Sequence, residues 1–288
     1  MFDIAIRSLN ALLMIAMPLA LGVYLFRRLG TGWRLFGVGA LTFIASQLLH
    51  IPFNIWVLNP FIRWLDKSMA STPYLIVAAL LLGLSAGIFE EVARYLVYRF
   101  RLKAKRDRSW ANALMFGAGH GGVEAMITGA LVFISFIGFL AARNADPASM
   151  TAEQLAAVQQ YWSLSWYDYL LGALERFSAI CFHLSAALLV LQAVVRNNIW
   201  WYVAALLWHA ALDFVAVFAS QTWGAYVTEM ILLGMALVSI GIVFALRKTD
   251  GLPDAVGLPD VAPPPEFTPV AVEPEEVSVE KLEESRYD

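Results

Sequence analysis

Two adjacent carboxylates and an arginine, Glu90, Glu91 and Arg94, interrupt the stretch SAGIFEEVARYLVYRFR from Ser85 to Arg101, which is otherwise apolar enough to cross a membrane. A charge at the centre of a membrane helix costs roughly 2.5 to 3.5 kcal/mol on insertion scales, so these side chains are expected to face protein, water and one another. Arg94 follows Glu90 by four residues and Glu91 by three, and at helical spacing its guanidinium reaches either carboxylate. One cation then serves two anions. The carboxylate left over, in a low-dielectric site beside a like charge, is a candidate general base. A purely structural ion cluster is the plainer alternative.

All four histidines, His50, His120, His183 and His209, lie inside apolar runs. The segment MFGAGHGGVEAM puts Phe116, His120 and Glu124 on one helical face, with Gly117, Gly119, Gly121 and Gly122 thinning the helix so that neighbours can approach closely. LWHAALDF sets His209 and Asp213 on one face in the same way, and GALERFSAICFH supplies Glu175, Arg176 and His183. His50 has no acid at helical spacing and reads as a hydrogen-bonded packing residue.

The elements that must position these groups follow from composition. Of 288 residues, 60% are hydrophobic and 15% charged, which describes a polytopic membrane protein and argues against a water-soluble globule. The single cysteine, Cys181, excludes a disulfide framework or a cysteine-based metal site. Seven apolar runs, about 4–26, 35–58, 74–100, 111–141, 166–195, 199–219 and 223–246, each span a hydrocarbon layer of ~30 Å. The expected fold is an all-α transmembrane bundle over residues 1–248, with an interfacial helix expected near 148–160. Beyond it, 249–288 is rich in proline and acid and is expected to be a disordered cytoplasmic tail.

Measured from the ends of these runs at 1.5 Å per residue, Glu90, His120, His183 and His209 all fall roughly 14 to 18 Å from one face. Glu124 and Asp213 lie one turn deeper. Four helices are thus expected to converge on one pocket, reached from the side of that face. Arg27, Arg28, Arg34, Arg99, Arg101, Lys103, Lys105, Arg106, Arg108, Arg196, Arg247 and Lys248 lie at that face, against Arg7, Arg63, Lys67 and Arg143 at the other. The positive-inside rule then puts the amino terminus outside and the carboxyl terminus in the cytoplasm. The bases are spread over short loops and form no nucleic-acid patch.

Glu90-Glu91-Val-Ala-Arg94, Phe116-Gly-Ala-Gly-His120 with Glu124, and His209-Ala-Ala-Leu-Asp213 resemble the three motifs of the CPBP superfamily of intramembrane proteases, the CAAX-protease and bacteriocin-processing group. They look most like its YhfC branch, with PrsW proteases as cousins. The similarity covers residues 80–220. Two features depart from the CAAX pattern: two residues instead of three separate Glu91 from Arg94, and Asp213 stands where CAAX proteases usually carry Asn.

The resemblance implies an intramembrane protease of a bacterial cell membrane, acting on a membrane-associated peptide or protein. Carried over by motif, Glu90 with His120 activates water, Glu91 and Arg94 fix the cluster, and His209 with Asp213 polarises the carbonyl. His183 and Glu124 fall outside the CAAX pattern and suit a supporting or metal-binding role. A glutamate with two or three of His120, His183 and His209 would suit one divalent metal such as zinc with an open position, without a His-Glu-x-x-His motif. A haem-carrying cytochrome is disfavoured because the histidines share their layer with carboxylates. A proton- or ion-coupled transporter, or a non-catalytic scaffold, remains the alternative in which buried Glu, Asp and His have a use.

Overall fold

In the computed structural model, which describes residues 2–247, the chain is a helical bundle with no strand among the described residues. The stretch 249–288, expected to be a disordered tail, lies outside them. Seven helical stretches are long and apolar enough to cross a membrane: Phe2–Leu29, Trp33–Ser68, Ser71–Arg101, Trp110–Arg143, Asp168–Val195, Trp200–Thr222 and Ala225–Arg247. Apolar segments of this length fold as helices because a bilayer offers backbone amides no other partner.

The first span is α1 (Phe2–Leu29). The second runs farther than its apolar residues indicate, because α2 (Trp33–Phe53) continues through a π-type turn at Asn54–Leu58 into α3 (Asn59–Ser68). Pro52 removes one amide from the ladder just before that turn. α4 (Ser71–Leu96) also ends in a π-type turn, Val97–Arg101, and Arg108 donates to the carbonyl of Tyr98 within it at 2.8 Å and to that of Leu102 just after it at 2.7 Å. α5 (Trp110–Arg143) has 34 residues. That is ~51 Å of helix, well beyond a hydrocarbon layer of ~30 Å. The interfacial helix expected at 148–160 is α6 (Ala152–Ser163). It begins later because Thr151 and Gln154 form a reciprocal capping box at its start. α7 (Leu171–Val195), α8 (Trp200–Thr222) and α9 (Ala225–Arg247) complete the bundle.

α7 is the axis of the fold: 89% of its apolar window is buried, against 44% or less in every other span. α5 packs on α7 and against α1 and α2, α4 packs on α8 and α2, and α9 closes over α7. Glycines set the closest backbone approaches, and a Cβ on Gly39 of α2 would stand 2.0 Å from the Phe116 carbonyl of α5. A Cβ on Gly119 would stand 2.0 Å from the Phe36 carbonyl of α2, and one on Gly83 would stand 2.4 Å from the Ala210 carbonyl of α8. Only glycine permits backbones so near. Leu48, Leu49, Trp56, Met230 and Leu237 remain exposed, as a lipid-facing surface requires.

Arg7, grouped above with the loop bases, is instead buried. It sits five residues inside α1, donates to the Tyr169 hydroxyl at 2.5 Å and lies 3.8 Å from the Tyr169 ring centre and 4.2 Å from that of Trp162. An aromatic cage holds its charge. The imbalance of loop bases between the two ends only sharpens.

Candidate functional site

Glu91 and Arg94 are fully buried on α4, and Glu90 nearly so. Arg94 donates through Nη1 to Glu91 Oε1, as their spacing predicts, while its Nη2 lies 3.5 Å from Glu90 Oε2. The same Nη2 donates to Nδ1 of His183 at 2.6 Å, a partner on α7 that spacing along one helix could not give. From α5, His120 Nε2 donates to Glu90 Oε2 at 3.0 Å. From α8, His209 Nδ1 donates to Glu91 Oε1 at 2.7 Å, leaving its Nε2 at 3.6 Å from Asp213 Oδ2 and 3.9 Å from Glu90 Oε2. His183 Nε2 donates to Glu124 Oε2 at 2.6 Å. Ring centres of His120 and His183 are 5.4 Å apart, and those of His183 and His209 are 5.8 Å apart. Glu90, Glu91, Arg94, His120, Glu124, His183, His209 and Asp213 therefore form one cluster drawn from α4, α5, α7 and α8.

The glycine run of α5 makes this possible locally. A Cβ on Gly121 would stand 2.4 Å from Cδ2 of His183, so any larger residue would push that ring off the helix. Phe43 meets the His120 ring edge-on at 5.4 Å and Phe182 meets His209 at 4.9 Å, which restricts both imidazoles to the orientations that reach the carboxylates.

One member of the site carried no signal in the sequence. Gln47, on α2, donates to Glu90 Oε1 at 3.1 Å. An amide in an apolar run, with no acid at helical spacing, does not announce a partner 43 residues away. Arg176 pairs with Glu175 at 2.5 Å as its neighbour suggests, but it also donates to Glu124 Oε1 at 2.5 Å and so extends the cluster. Glu229, near the start of α9, is buried with Oε2 unpartnered. His50 lies apart from the cluster as a packing residue, bonded to Ser85 at 2.8 Å and to Asn54 at 3.0 Å and stacked on Phe89.

The approach to the site differs from expectation. Toward the basic loop it is sealed by Tyr98, Leu102, Phe116 and Leu188, all fully buried in the main apolar core. A cavity of about 70 Å³ instead runs from Glu90, His183 and His209 past Glu124 and Asp213 to Glu175, Arg176, Ala216 and Leu232, toward the opposite end of the bundle. Depth along a helix fixes how far a residue lies from each face. It does not tell which direction is packed with large side chains, and here Tyr98 and Phe116 decide that. At ~10–15 Å³ per water on this measure the cavity admits several water molecules and no polypeptide.

One ligand atom each from Glu90, His120 and His183, all buried, lie within 4.8 Å of one another. A carboxylate with two imidazoles suits zinc and leaves a position open. His183 already has the carboxylate support typical of a ligating imidazole, through Glu124. Glu91 Oε2, Arg94 Nε and His120 Nδ1 are buried without partners, a concentration of unmet polar atoms that marks a site completed by a further group. The residues fit a divalent ion. His209 stands outside this set, its Nδ1 engaged by Glu91.

Comparison with known proteins agrees with this chemistry at family level. The sequence model of one family, described as YhfC intramembrane metalloprotease, matches residues 13–237. An uncharacterized membrane protein of Bacillus subtilis (strain 168), YhfC, is 35% identical over 224 residues, covering 73% of this chain and 82% of the relative. No solved structure matches.

Proposed function

We infer that this chain, which belongs to the YhfC intramembrane metalloprotease family, is an endopeptidase that hydrolyses a peptide bond of a membrane-associated protein or peptide with water activated by Glu90. The observation that carries the reading is that Glu90, and not Glu91, meets the cavity. Glu90 lines it beside His183 and His209, whereas Glu91 is fully buried and shares its Oε1 between Arg94 and His209. A base must touch the water it deprotonates.

Glu90 takes the water proton, and His120, 3.0 Å away, steadies the carboxylate and receives or returns that proton as the reaction proceeds. Glu91 and Arg94 hold the charged end of α4 in place. His209, as the imidazolium whose Nδ1 proton stays engaged by Glu91, offers its Nε2 proton between Glu90 and Asp213 as the donor for the oxyanion. Glu90, His120 and His183 would hold a divalent ion, which when bound polarises a carbonyl and lowers the cost of deprotonating water. The roles of Glu90, Glu91, Arg94, His120, His209 and Asp213 are those that the resemblance to CPBP proteases implies; His183 falls outside that pattern.

The count of loop bases favours an amino terminus outside and a carboxyl terminus in the cytoplasm, so the cavity faces the outer half of the membrane. A peptide enters only when the helices part, since the cavity is too small for one. Incubation of the reconstituted protein with a library of transmembrane peptides, read by mass spectrometry, tests the activity. Cleavage at a reproducible bond is expected, and an intact library would oppose the reading.

A further inference from the structure

One nitrogen of Arg94 stands between two of the three prospective metal ligands. Nη2 donates to His183 Nδ1 at 2.6 Å and lies 3.5 Å from Glu90 Oε2. It therefore presents positive charge to the atoms that a divalent cation would take. We propose that Arg94 is a built-in competitor for the metal, and that the ion binds His183 through Nδ1 only as the guanidinium withdraws toward Glu91. This rests on the metalloprotease reading of the site.

The chemistry of the ring selects the nitrogen. A neutral imidazole has one N–H and one lone pair. His183 gives its N–H, at Nε2, to Glu124, and its lone pair, at Nδ1, accepts from Arg94. Ligation through Nε2 would require moving that proton and would set the metal against a bond of 2.6 Å to a carboxylate. Ligation through Nδ1 breaks only the contact with Arg94 and keeps the support from Glu124, the arrangement in which a carboxylate orients a metal-bound histidine.

Arg94 has somewhere to go. Its Nη1 is already bonded to Glu91 Oε1, and Glu91 Oε2 is buried without a partner and can take the nitrogen released from His183. The side chain is fully buried, so it does not escape to solvent and remains poised to return when the metal leaves. Glu91 is then the residue that stores the guanidinium, and the two-carboxylate, one-arginine motif works as an exchange of one cation for another.

The test is zinc titration of metal-stripped protein in detergent by calorimetry, comparing wild type with Arg94→Gln and Arg94→Lys. Both variants weaken the competitor; a ligand's apparent affinity falls with the fraction of sites left free, so zinc should bind at least roughly tenfold tighter to Arg94→Gln than to wild type, with Arg94→Lys between them. Unchanged or weaker binding by folded variants overturns the competition and leaves the metal centre standing. No binding by any of the three overturns both. Should Arg94→Gln fail to fold, nitrogen NMR of wild type labelled at histidine decides instead. Zinc should shift the His183 Nδ1 resonance while Nε2 keeps its proton, and loss of the Nε2 proton overturns the proposal.

Discussion

His183 Nε2 donates to Glu124 Oε2 at 2.6 Å, across the contact of α7 with α5, and this fixes Nδ1 as the lone-pair nitrogen of the ring. A supporting carboxylate of this kind is typically worth 10- to 100-fold in metal affinity or activity, as order-of-magnitude values. Glu124→Ala should therefore lower cleavage and zinc affinity by roughly that factor. Glu124→Gln, whose amide oxygen can still accept from Nε2, should recover part of it. Equal loss in both variants would point to the charge of Glu124, and to its pair with Arg176, as its contribution.

The bare face of α5 is as necessary as the groups it carries. Gly121→Ala would bring a Cβ within 2.4 Å of the His183 ring. The ring must turn or the helices must part, at about 1–3 kcal/mol. Reduced thermal stability together with lost zinc binding is the expected result, and wild-type binding would show that the ring is not held where the glycine allows it.

His120, His183 and His209 lie ring against ring, and residues that act as one unit are strongly non-additive in kinetics. Replacing any two by Ala should slow cleavage little more than replacing one. Multiplying losses would mean that the three serve separate steps.

Much of this centre was legible in the sequence, because charge inside an apolar run is costly enough to imply a partner. Glu90, Glu91 and Arg94 declared one another through helical spacing, and His209 declared Asp213. The joins between helices were not legible. Nothing along α4 says that Arg94 meets His183, or that Gln47 meets Glu90, since those contacts depend on how far glycines such as Gly119 and Gly121 let backbones approach. The open side of the pocket was misjudged for a similar reason: helix depth is a count along one axis, and the apolar seal of Tyr98 and Phe116 is a matter of packing across it. Seven spans followed from length and hydropathy, while the continuation of α2 through a π-type turn into α3 depended on local backbone geometry at Asn54–Leu58.

Orientation is open to a direct check. Lys105, in the basic loop, and Ser149, between α5 and α6, are both exposed, and the natural Cys181 is buried. In sealed cells Ser149→Cys should react with a membrane-impermeant thiol reagent, and Lys105→Cys should react only after the cells are opened. The reverse pattern would move the mouth of the cavity to the cytoplasmic side.

The central claim is that Glu90 is the base for peptide hydrolysis inside the bundle. Glu90→Gln keeps the shape of the side chain and its contact with Gln47 but cannot accept the water proton. The decisive measurement is single-turnover cleavage of a membrane peptide by reconstituted Glu90→Gln protein, alongside its melting temperature. A folded protein with cleavage reduced by at least ~10²-fold is the predicted result; turnover at the wild-type rate by that folded variant would contradict the account.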